Sequence, residues 1–384
     1  MSLPILFDPV SPDLLSGFEH YSYLNQRIRV FTEIFPEWTK ADIAIIGLVE
    51  DRGNPDNEGA FGGADAMRRA LYGLRASHIK YNVVDLGNLR AGETVEDSYL
   101  RLKEVVRTLL ESNVIPLVIG GTHDHTLPMV WAYEELGRKI GLLNVDSRSD
   151  TEPSVQQGMA QHHISKILTK HKECLSLYIH LAYQTYLVDE NILAAIEQHH
   201  HFKMRLGELR EDIKAIEPIV RSADFLSFDL SAVRISEAPA NAGGFPFGLT
   251  GEEACQIAWY AGCNSKLTSF GLFELNPGLD YRETTSQMAA TMLWYFIEGF
   301  YHRKDDLTFS QTSYMKYRVP ISNSADESLI FYKGLLSNNW WVESSTLHSD
   351  SEGVKVPCAE QDYLKCLHGE VPNRWINQAL NLSM

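Results

Sequence analysis

The run that decides the fold is VIGGTHDH at residues 118–125, and NVDSRSD at residues 144–150 repeats its pattern. Each is an apolar stretch that ends abruptly in polar side chains able to bind a metal ion. A third stretch, DFLSFDLS at residues 224–231, brings a further carboxylate in the same way. A strand buried in a parallel sheet is apolar along its whole length and delivers polar residues to the carboxyl edge of the sheet. The three stretches therefore predict a site at that edge.

Short aliphatic runs alternate with helical segments over most of the chain. The predicted strands cover residues 43–49, 79–86, 114–119, 140–145, 177–182, 202–206, 224–230 and 268–275. The predicted helices lie near residues 64–74, 95–112, 126–138, 159–170, 190–199, 251–262 and 283–301. Such alternation indicates a mostly parallel sheet of about eight strands between two layers of helices. We therefore expect an α/β fold, a three-layer α-β-α sandwich.

The composition of the sequence and the pattern of its apolar residues change twice, which indicates three parts. Residues 1–40 contain aromatic and proline residues without sustained periodicity, and we expect an N-terminal arm laid over the domain. Residues 41–302 hold the alternating elements, and the amphipathic helix predicted at 283–301 would close this α/β domain. Residues 303–384 are predicted to form a C-terminal extension, with a helix over 327–336, that packs on the domain or on a neighbouring subunit.

Composition excludes several classes of partner. The 34 basic and 50 acidic residues give a formal charge of −16, which argues against nucleic acid and against an anionic membrane surface. No apolar run approaches the roughly 18 residues of a membrane span, and we read no signal segment at the N-terminus. The five cysteines are odd in number and include no CxxC pair, so neither a disulfide framework nor a zinc knot is indicated. We predict a cytoplasmic protein with a small-molecule or protein partner.

Four polar residues lie at or just after the predicted strand ends and so belong to one edge of the sheet. They are His123, Asp146, Asp150 and Asp229. One imidazole with three carboxylates suits Mn²⁺ or Mg²⁺ better than Zn²⁺, which prefers more nitrogen and sulfur donors. Aspartates at strand ends also cap helices or bind loop amides, so these residues by themselves leave metal binding and plain capping open.

Three ordered motifs match one known family. The chain has GGTHD at residues 120–124, DSRSD at residues 146–150 and SFDLS at residues 227–231, where that family has Gly-Gly-x-His, Asp-x-His-x-Asp and Ser-x-Asp-x-Asp. Weaker matches are GAFGGADAMR at residues 59–68 and ELNP at residues 274–277. On these motifs the chain resembles the ureohydrolase superfamily of arginase, agmatinase and, most closely, formimidoylglutamase. The resemblance implies hydrolysis of a linear amidine C–N bond by water activated between two metal ions.

The resemblance also implies which metal ligands remain. One ion would be held by His123, Asp146, Asp150 and Asp229, all of which are present. The second ion would need a histidine and an aspartate at the positions of Arg148 and Ser231, so its site is degenerate. Because a guanidinium can pair two carboxylates at once, we expect Arg148 to fill the vacant position and form salt bridges with the carboxylates. The three carboxylates, Arg148 and one divalent ion together carry no net charge, which permits a single Mn²⁺ without requiring it.

Two further residues match the active site of the family. Glu274 corresponds to a substrate-binding residue that contacts the amidine. A carboxylate that only bonds loop amides at the end of a strand would give the same sequence pattern. His163 lies thirteen residues after Asp150, near the position of a catalytic histidine, although an ordinary histidine on a helix surface would also fit there.

Two functions are open at this point. The first is a ureohydrolase with one retained metal site and reduced or altered activity. The second is a non-catalytic relative that serves ligand binding or assembly, with Arg148 salt-bridged to the former metal carboxylates. The resemblance further implies a homo-oligomer, since members of the family form trimers or hexamers.

Overall fold

A ten-stranded sheet forms the centre of the computed structural model, which describes residues 3–151, 158–199, 201–304, 308–309, 312–320, 328–343 and 353–370. Its strands are β1 (Phe7–Asp8), β2 (Arg29–Val30), β3 (Ile43–Leu48), β4 (Val83–Leu89), β5 (Ile115–Ile119), β6 (Ile140–Val145), β7 (Leu175–Tyr183), β8 (Phe202–Arg205), β9 (Phe225–Asp229) and β10 (Ser269–Phe273). Their order is β1-β4-β3-β5-β10-β9-β6-β7-β8, and β2 also pairs with β4. Every neighbouring pair is parallel except β1 with β4. The predicted mostly parallel sheet is confirmed.

Helices cover both faces of this sheet. They are α1 (Gly63–Tyr72), α2 (Val95–Glu111), α3 (Thr126–Glu135), α4 (His163–Lys170), α5 (Glu190–Gln198), α6 (Leu206–Glu211), α7 (Glu217–Arg221), α8 (Gly251–Cys263) and α9 (Thr284–Tyr301). One buried core joins the sheet to α1 and α6 through α9, and a second core joins it to α2 through α5. Successive side chains of β5 alternate between them, since Leu117 and Ile119 lie in the first core and Val118 in the second. The predicted three-layer α-β-α sandwich is confirmed.

The N-terminal segment contributes two strands that the sequence did not predict. β1 pairs antiparallel with β4, and β2 pairs parallel with the same strand. Each has only two residues, which is too short for an alternating pattern to appear. Phe7 of β1 is buried in the core that includes α2 through α5. This segment therefore extends the sheet at its β4 edge.

One helix near the site begins later than the sequence predicts. α4 starts at His163 rather than at residue 159. The amide of Ala160 donates a hydrogen bond of 3.0 Å to the carbonyl oxygen of Gly53, which holds the preceding turn against the loop that follows β3. The first residue of α4 is thereby placed beside that loop, at the carboxyl edge of the sheet.

The chain beyond α9 forms a second, antiparallel sheet. Its strands are β11 (Tyr314–Pro320), β12 (Ser328–Gly334), β13 (Trp340–Glu343) and β14 (Lys355–Cys358), and the helix α10 (Glu360–Leu367) follows. Arg221 at the end of α7 donates to the carbonyl oxygens of Trp340 at 3.1 Å and Cys358 at 3.2 Å, so this sheet contacts the α/β domain. Within the described ranges, none of the helices combines the length and apolar character that a membrane crossing requires.

The helix predicted over 327–336 is wrong. Residues 328–334 form β12, which pairs with β11 on one side and β13 on the other, and residue 327 lies outside the described residues. A short apolar run does not distinguish a helix from a strand by its periodicity. Pairing along both edges satisfies the backbone of this segment as a strand, which the sequence of the segment alone could not show.

Candidate metal centre

Four neighbouring strands bring the predicted site residues to one edge of the sheet. In the order β5, β10, β9 and β6, these strands lead to His123, Glu274, Asp229 and Asp146. Because all four strands run parallel, their carboxyl ends lie side by side although the residues are far apart in sequence. The predicted location of the site at this edge agrees with the structure.

Unusual backbone conformations shape the loops that carry these residues. Gly120, just after β5, has a φ of +77°, and a Cβ there would lie 2.5 Å from the amide nitrogen of Ala64. Asp150 has a φ of +49° and Glu274 a φ of +72°. A left-handed backbone costs a non-glycine residue on the order of 1–3 kcal/mol, and such residues cluster at functional sites where the surrounding structure enforces them. Two of the predicted site carboxylates are held in this way.

His123 lies at the centre of a buried cluster of carboxylates. Its Nδ1 is 2.9 Å from Asp150 Oδ2, 3.5 Å from Asp229 Oδ2 and 3.6 Å from Asp146 Oδ2. These four residues each offer a ligand atom within 4.8 Å of the others, and all four are buried. Asp146 Oδ2 accepts no hydrogen bond from any described residue. A buried carboxylate oxygen left like this favours a proton or a cation as its partner.

Burial sets the protonation of the cluster when no ion is bound. It raises the pKa of Asp146 well above the usual range, and the charge of Asp150 raises it further. Burial likewise raises the pKa of Asp150 and that of Asp229. The His123 imidazole moves in the opposite direction, because burial lowers its pKa to about 3. The cluster therefore holds protons on carboxyl groups beside a neutral imidazole, and a divalent cation would displace those protons.

The orientation of His123 is fixed by a hydroxyl group. Its Nε2 shares a hydrogen bond of 3.0 Å with Ser227 Oγ, and Ser227 in turn bonds Thr126. With an ion bound, donation from Nε2–H to Ser227 would leave the Nδ1 lone pair for the ion, because Nδ1 is the nitrogen that faces the carboxylates. A hydrogen bond from the second ring nitrogen is what selects the tautomer of a metal-binding histidine. Ser227 stands in the SFDLS motif, but this role was missed because a neutral hydroxyl carries no signal of its own in the sequence.

Both oxygens of Glu274 are already hydrogen bonded. Oε1 accepts from the backbone amide of His123 at 2.8 Å, and Oε2 accepts from Asn57 at 2.7 Å and Asn54 at 3.0 Å. The carboxylate thus binds loop amides, as one of the two interpretations held, and it also faces the cavity of the site. Burial raises its pKa to about 8, with the charge of Asp229 adding to the effect. The sequence did not identify the two asparagines, although they lie in the loop after β3.

A cavity of about 360 Å³ opens beside the cluster. Asp150, Asp229 and Glu274 contribute to its wall, together with Arg148 and Gln161. This volume is of the size that holds a small molecule, and the wall offers donors and acceptors rather than an apolar surface. The cavity and the carboxylate cluster form one continuous site.

The expected salt bridges of Arg148 with the carboxylates are wrong. Its side chain is exposed and forms no ion pair with any described residue, and only its backbone amide bonds Asp146 Oδ1, at 2.9 Å. A guanidinium drawn into a fully buried cluster would lose its hydration, whereas at the wall of the cavity it keeps water. Ser231, the other replaced position, does reach the cluster, since its hydroxyl donates to Asp146 Oδ1 at 3.3 Å. A neutral donor, rather than a cation, therefore occupies this side of Asp146.

His163 is brought to the site and does not lie on a helix surface. It is the first residue of α4 and is fully buried. Its ring centroid lies 4.6 Å from that of His123, and its Nδ1 lies 3.8 Å from Asp150 Oδ2. Burial lowers its pKa well below the usual range, so the imidazole is neutral.

The metal-free protein is expected to lose stability as the pH rises from about 6.5 to about 8. In this window Glu274, with a pKa of about 8, binds a proton in the folded state that the unfolded chain has already released, and the raised pKa values of the buried aspartates act in the same direction. The neutral folded-state His123 opposes this trend only below its unfolded pKa of about 6.5. Each proton of difference lowers the free energy of unfolding by about 1.4 kcal/mol per pH unit. Urea unfolding in a chelator at several pH values measures the slope, which Glu274→Gln should reduce; a rising stability would contradict the prediction.

The family of the chain follows from comparison with known proteins. The family model of the Arginase family matches residues 41–298. A formimidoylglutamase of Citrobacter koseri is 23% identical over 315 residues, which cover 77% of this chain and 99% of that protein. Among solved structures, a Trypanosoma cruzi formiminoglutamase with Mn²⁺ is 26% identical with a TM-score of 0.64, covering 77% of this chain and 100% of that one.

A further solved structure supports the fold alone. The formimidoylglutamase of Bacillus subtilis is 20% identical with a TM-score of 0.66, and the match covers 73% of this chain and 92% of that one. The resemblance to the ureohydrolase superfamily is thus confirmed through family, relatives and fold together. The chain belongs to the arginase family.

Proposed function

We propose that the protein is a formimidoylglutamase-like hydrolase of linear amidine C–N bonds that works with one Mn²⁺ ion. The observation that carries this proposal is the convergence of four ligand atoms, one each from His123, Asp146, Asp150 and Asp229, within 4.8 Å of one another in a buried cluster. Relatives named formimidoylglutamase, one of them solved with Mn²⁺, support the reaction class and the metal. The substrate is a small molecule that enters the adjoining cavity.

The donor set fits a hard divalent ion. Three carboxylates and an imidazole suit Mn²⁺, and the unpartnered Asp146 Oδ2 would gain a partner on binding it. When bound, the ion would supply Lewis-acid activation of water for attack on the amidine carbon. Ser227 Oγ would accept from Nε2–H of His123 and so leave the lone pair on Nδ1 for the ion, and Glu274 Oε1 has capacity left to accept from an amidine N–H. These residues position the ligands and the substrate.

We propose that activity is lower than that of a two-ion site. Neither Arg148 nor Ser231 supplies the carboxylate or imidazole that a second ion would need. The exposed guanidinium keeps its charge outside the cluster, so it does not replace that ion beside the attacking water. The pKa of the attacking water is higher when fewer positive charges lie beside it. Less of the water is therefore present as hydroxide at neutral pH.

Protein loaded with excess Mn²⁺ is expected to retain one ion per chain and to hydrolyse formimidoylglutamate slowly, with the activity lost in a chelator. Because protons leave the buried carboxyl groups, calorimetric titration at pH 7 should show proton release, seen as a dependence of the apparent enthalpy on the buffer. Agmatine and arginine are the comparison substrates. Protein that retains no Mn²⁺ would contradict the metal site, and a retained ion without turnover of any of the three would contradict the hydrolase.

The second candidate is a non-catalytic relative that binds a ligand or assists assembly. The replacement of both ligands of the second ion favours it, since Ser231 already satisfies one oxygen of Asp146 with a hydrogen bond. The salt bridges of Arg148 that this function was expected to use are not formed in the structure. A retained ion, saturable binding of an amidine and no turnover would support it. Assembly as a homo-oligomer in the cytoplasm is compatible with either function and stays a prediction.

A further inference from the structure

We propose that Arg148 selects ligands that carry a carboxylate, by binding that carboxylate while the amidine group of the same molecule lies at the buried cluster. This inference rests on the proposed function, because it names the class of amidine that the site takes: one that is also a carboxylic acid. The salt bridges expected between Arg148 and the metal carboxylates are not formed, and only its backbone amide bonds the cluster. The guanidinium is therefore left for a ligand.

Arg148 is the one basic residue among the described residues that line the cavity. The carboxyl groups of the same wall belong to Asp56, Asp150, Asp229 and Glu274. An amidine is a cation at neutral pH, so it is attracted to the side of the cavity that holds these groups. A carboxylate finds a single group of opposite charge in this wall, the guanidinium of Arg148. A ligand that has both groups is thereby given one orientation.

The guanidinium of Arg148 lies near the cluster without pairing with it. Burial raises the pKa of Asp146, that of Asp150 and that of Asp229, and the positive charge of Arg148 opposes the increase at all three. The side chain is nevertheless exposed and forms no ion pair with any described residue. A small molecule in the cavity can therefore contact the cluster with one end and the guanidinium with the other.

Other polar side chains of the wall already donate hydrogen bonds to oxygen atoms of the protein. These pairs are Asn54 with Glu274 at 3.0 Å, Gln161 with Asp56 at 3.2 Å, Asn241 with Asp229 at 3.4 Å and Ser231 with Asp146 at 3.3 Å. The N–H groups of the Arg148 guanidinium donate to none of the described residues. Their planar fork matches the two oxygens of a carboxylate. The largest set of unused donors in the wall thus suits a carboxylate.

Arginine and agmatine isolate the contribution of the carboxylate. Agmatine is arginine without its carboxylate, so the two molecules otherwise offer the cavity the same groups. A charge-assisted pair with Arg148 should make the Mn²⁺-loaded protein bind arginine more tightly than agmatine by about tenfold or more. Calorimetric titration with each ligand measures the two affinities. The titrations are repeated in a chelator, so that they do not depend on the presence of the ion.

The variant Arg148→Met should abolish this difference by weakening the binding of arginine and not that of agmatine. Arg148→Lys should retain part of it, because an ammonium keeps the charge but not the planar fork. The matched control is Arg234→Met, since Arg234 follows β9 at the same edge of the sheet, pairs with Glu237 and is not one of the residues that line the cavity. Thermal unfolding shows whether each variant is folded. Because variants at position 148 should bind the substrate more weakly, their turnover is compared at saturating substrate.

The outcomes are separable from those of the proposed function. A preference for arginine that Arg148→Met abolishes and Arg234→Met preserves would support the inference, even in protein that retains no Mn²⁺. Equal affinities for arginine and agmatine in the unchanged protein, a preference that survives in Arg148→Met, or no binding of arginine would overturn it. Slow, Mn²⁺-dependent turnover of formimidoylglutamate beside any of these last three results would leave the proposed hydrolase intact.

Discussion

Replacing Asp146 by asparagine is expected to weaken Mn²⁺ binding by at least about 100-fold, above the upper end of the loss seen when only an outer partner of a ligand is removed. Asp146 is fully buried, and its Oδ2 faces the other ligands without accepting a hydrogen bond from any described residue. Asparagine has nearly the same shape but no charge, so the cavity is preserved while the attraction for the cation is lost. The concentration of free Mn²⁺ during a titration, read by electron paramagnetic resonance, measures the change.

The matched control for Asp146→Asn is Asp56→Asn. Asp56 lies in the wall of the same cavity but belongs to none of the metal-capable groups among the described residues, so its replacement should leave the affinity for Mn²⁺ unchanged. Without metal, Asp146→Asn should raise the melting temperature at neutral pH, because it removes a carboxyl group that favours taking up a proton when it is buried on folding. If Asp146→Asn binds Mn²⁺ more weakly and is nevertheless more stable without metal, the weaker binding results from the lost ligand and not from a damaged fold. Equal affinities of the two variants would contradict the role of Asp146.

The strands that carry the site could be predicted because their short, continuous apolar runs are typical of buried parallel strands. The apolar runs of β5 and β6 are continuous, which is typical of strands covered on both faces, and both were placed within one residue of their observed bounds. β1 and β2 could not be predicted, since their two residues each acquire strand geometry only by pairing with β4. The helix predicted at β12 is wrong for the same reason, because the segment becomes a strand by pairing with β11 and β13, which lie outside it.

The candidate site was predictable in its charged residues and not in their neutral partners. His123 and Asp229 were identified because imidazole and carboxylate at strand ends are typical of metal ligands. Asn57 and Ser227 could not be identified, since an amide or hydroxyl gains its role only when the fold brings it to a particular atom. The salt bridges predicted for Arg148 are wrong for a third reason. Its position in the motif is fixed by the sequence, but whether its side chain turns inward depends on a balance between hydration and pairing.

The double change Arg148→His with Ser231→Asp is expected to add a second ion per chain and to raise turnover by roughly 100-fold or more, since a metal ion stabilises the developing charge by several kcal/mol. Both positions adjoin Asp146. The backbone amide of Arg148 and the hydroxyl of Ser231 each donate to its Oδ1, at 2.9 Å and 3.3 Å. Removing the hydroxyl donor frees that oxygen to serve the second ion. Position 148 need only turn its new, smaller side chain inward, because its backbone already lies beside the cluster.

The two single changes distinguish a restored ion from a general gain in activity. Ser231→Asp alone adds another buried carboxyl group to the cluster, so without metal it should lower the melting temperature, and Mn²⁺ should recover this loss. Arg148→His alone removes an exposed guanidinium that has no ion pair among the described residues, so its effect on stability should be small. Metal analysis and turnover of formimidoylglutamate then report on the double variant. If the double variant binds two ions but stays as slow as the unchanged protein, the limit on activity lies in the cavity and not in the missing ion. If the double variant binds only one ion, the second site was lost through more than these two residues.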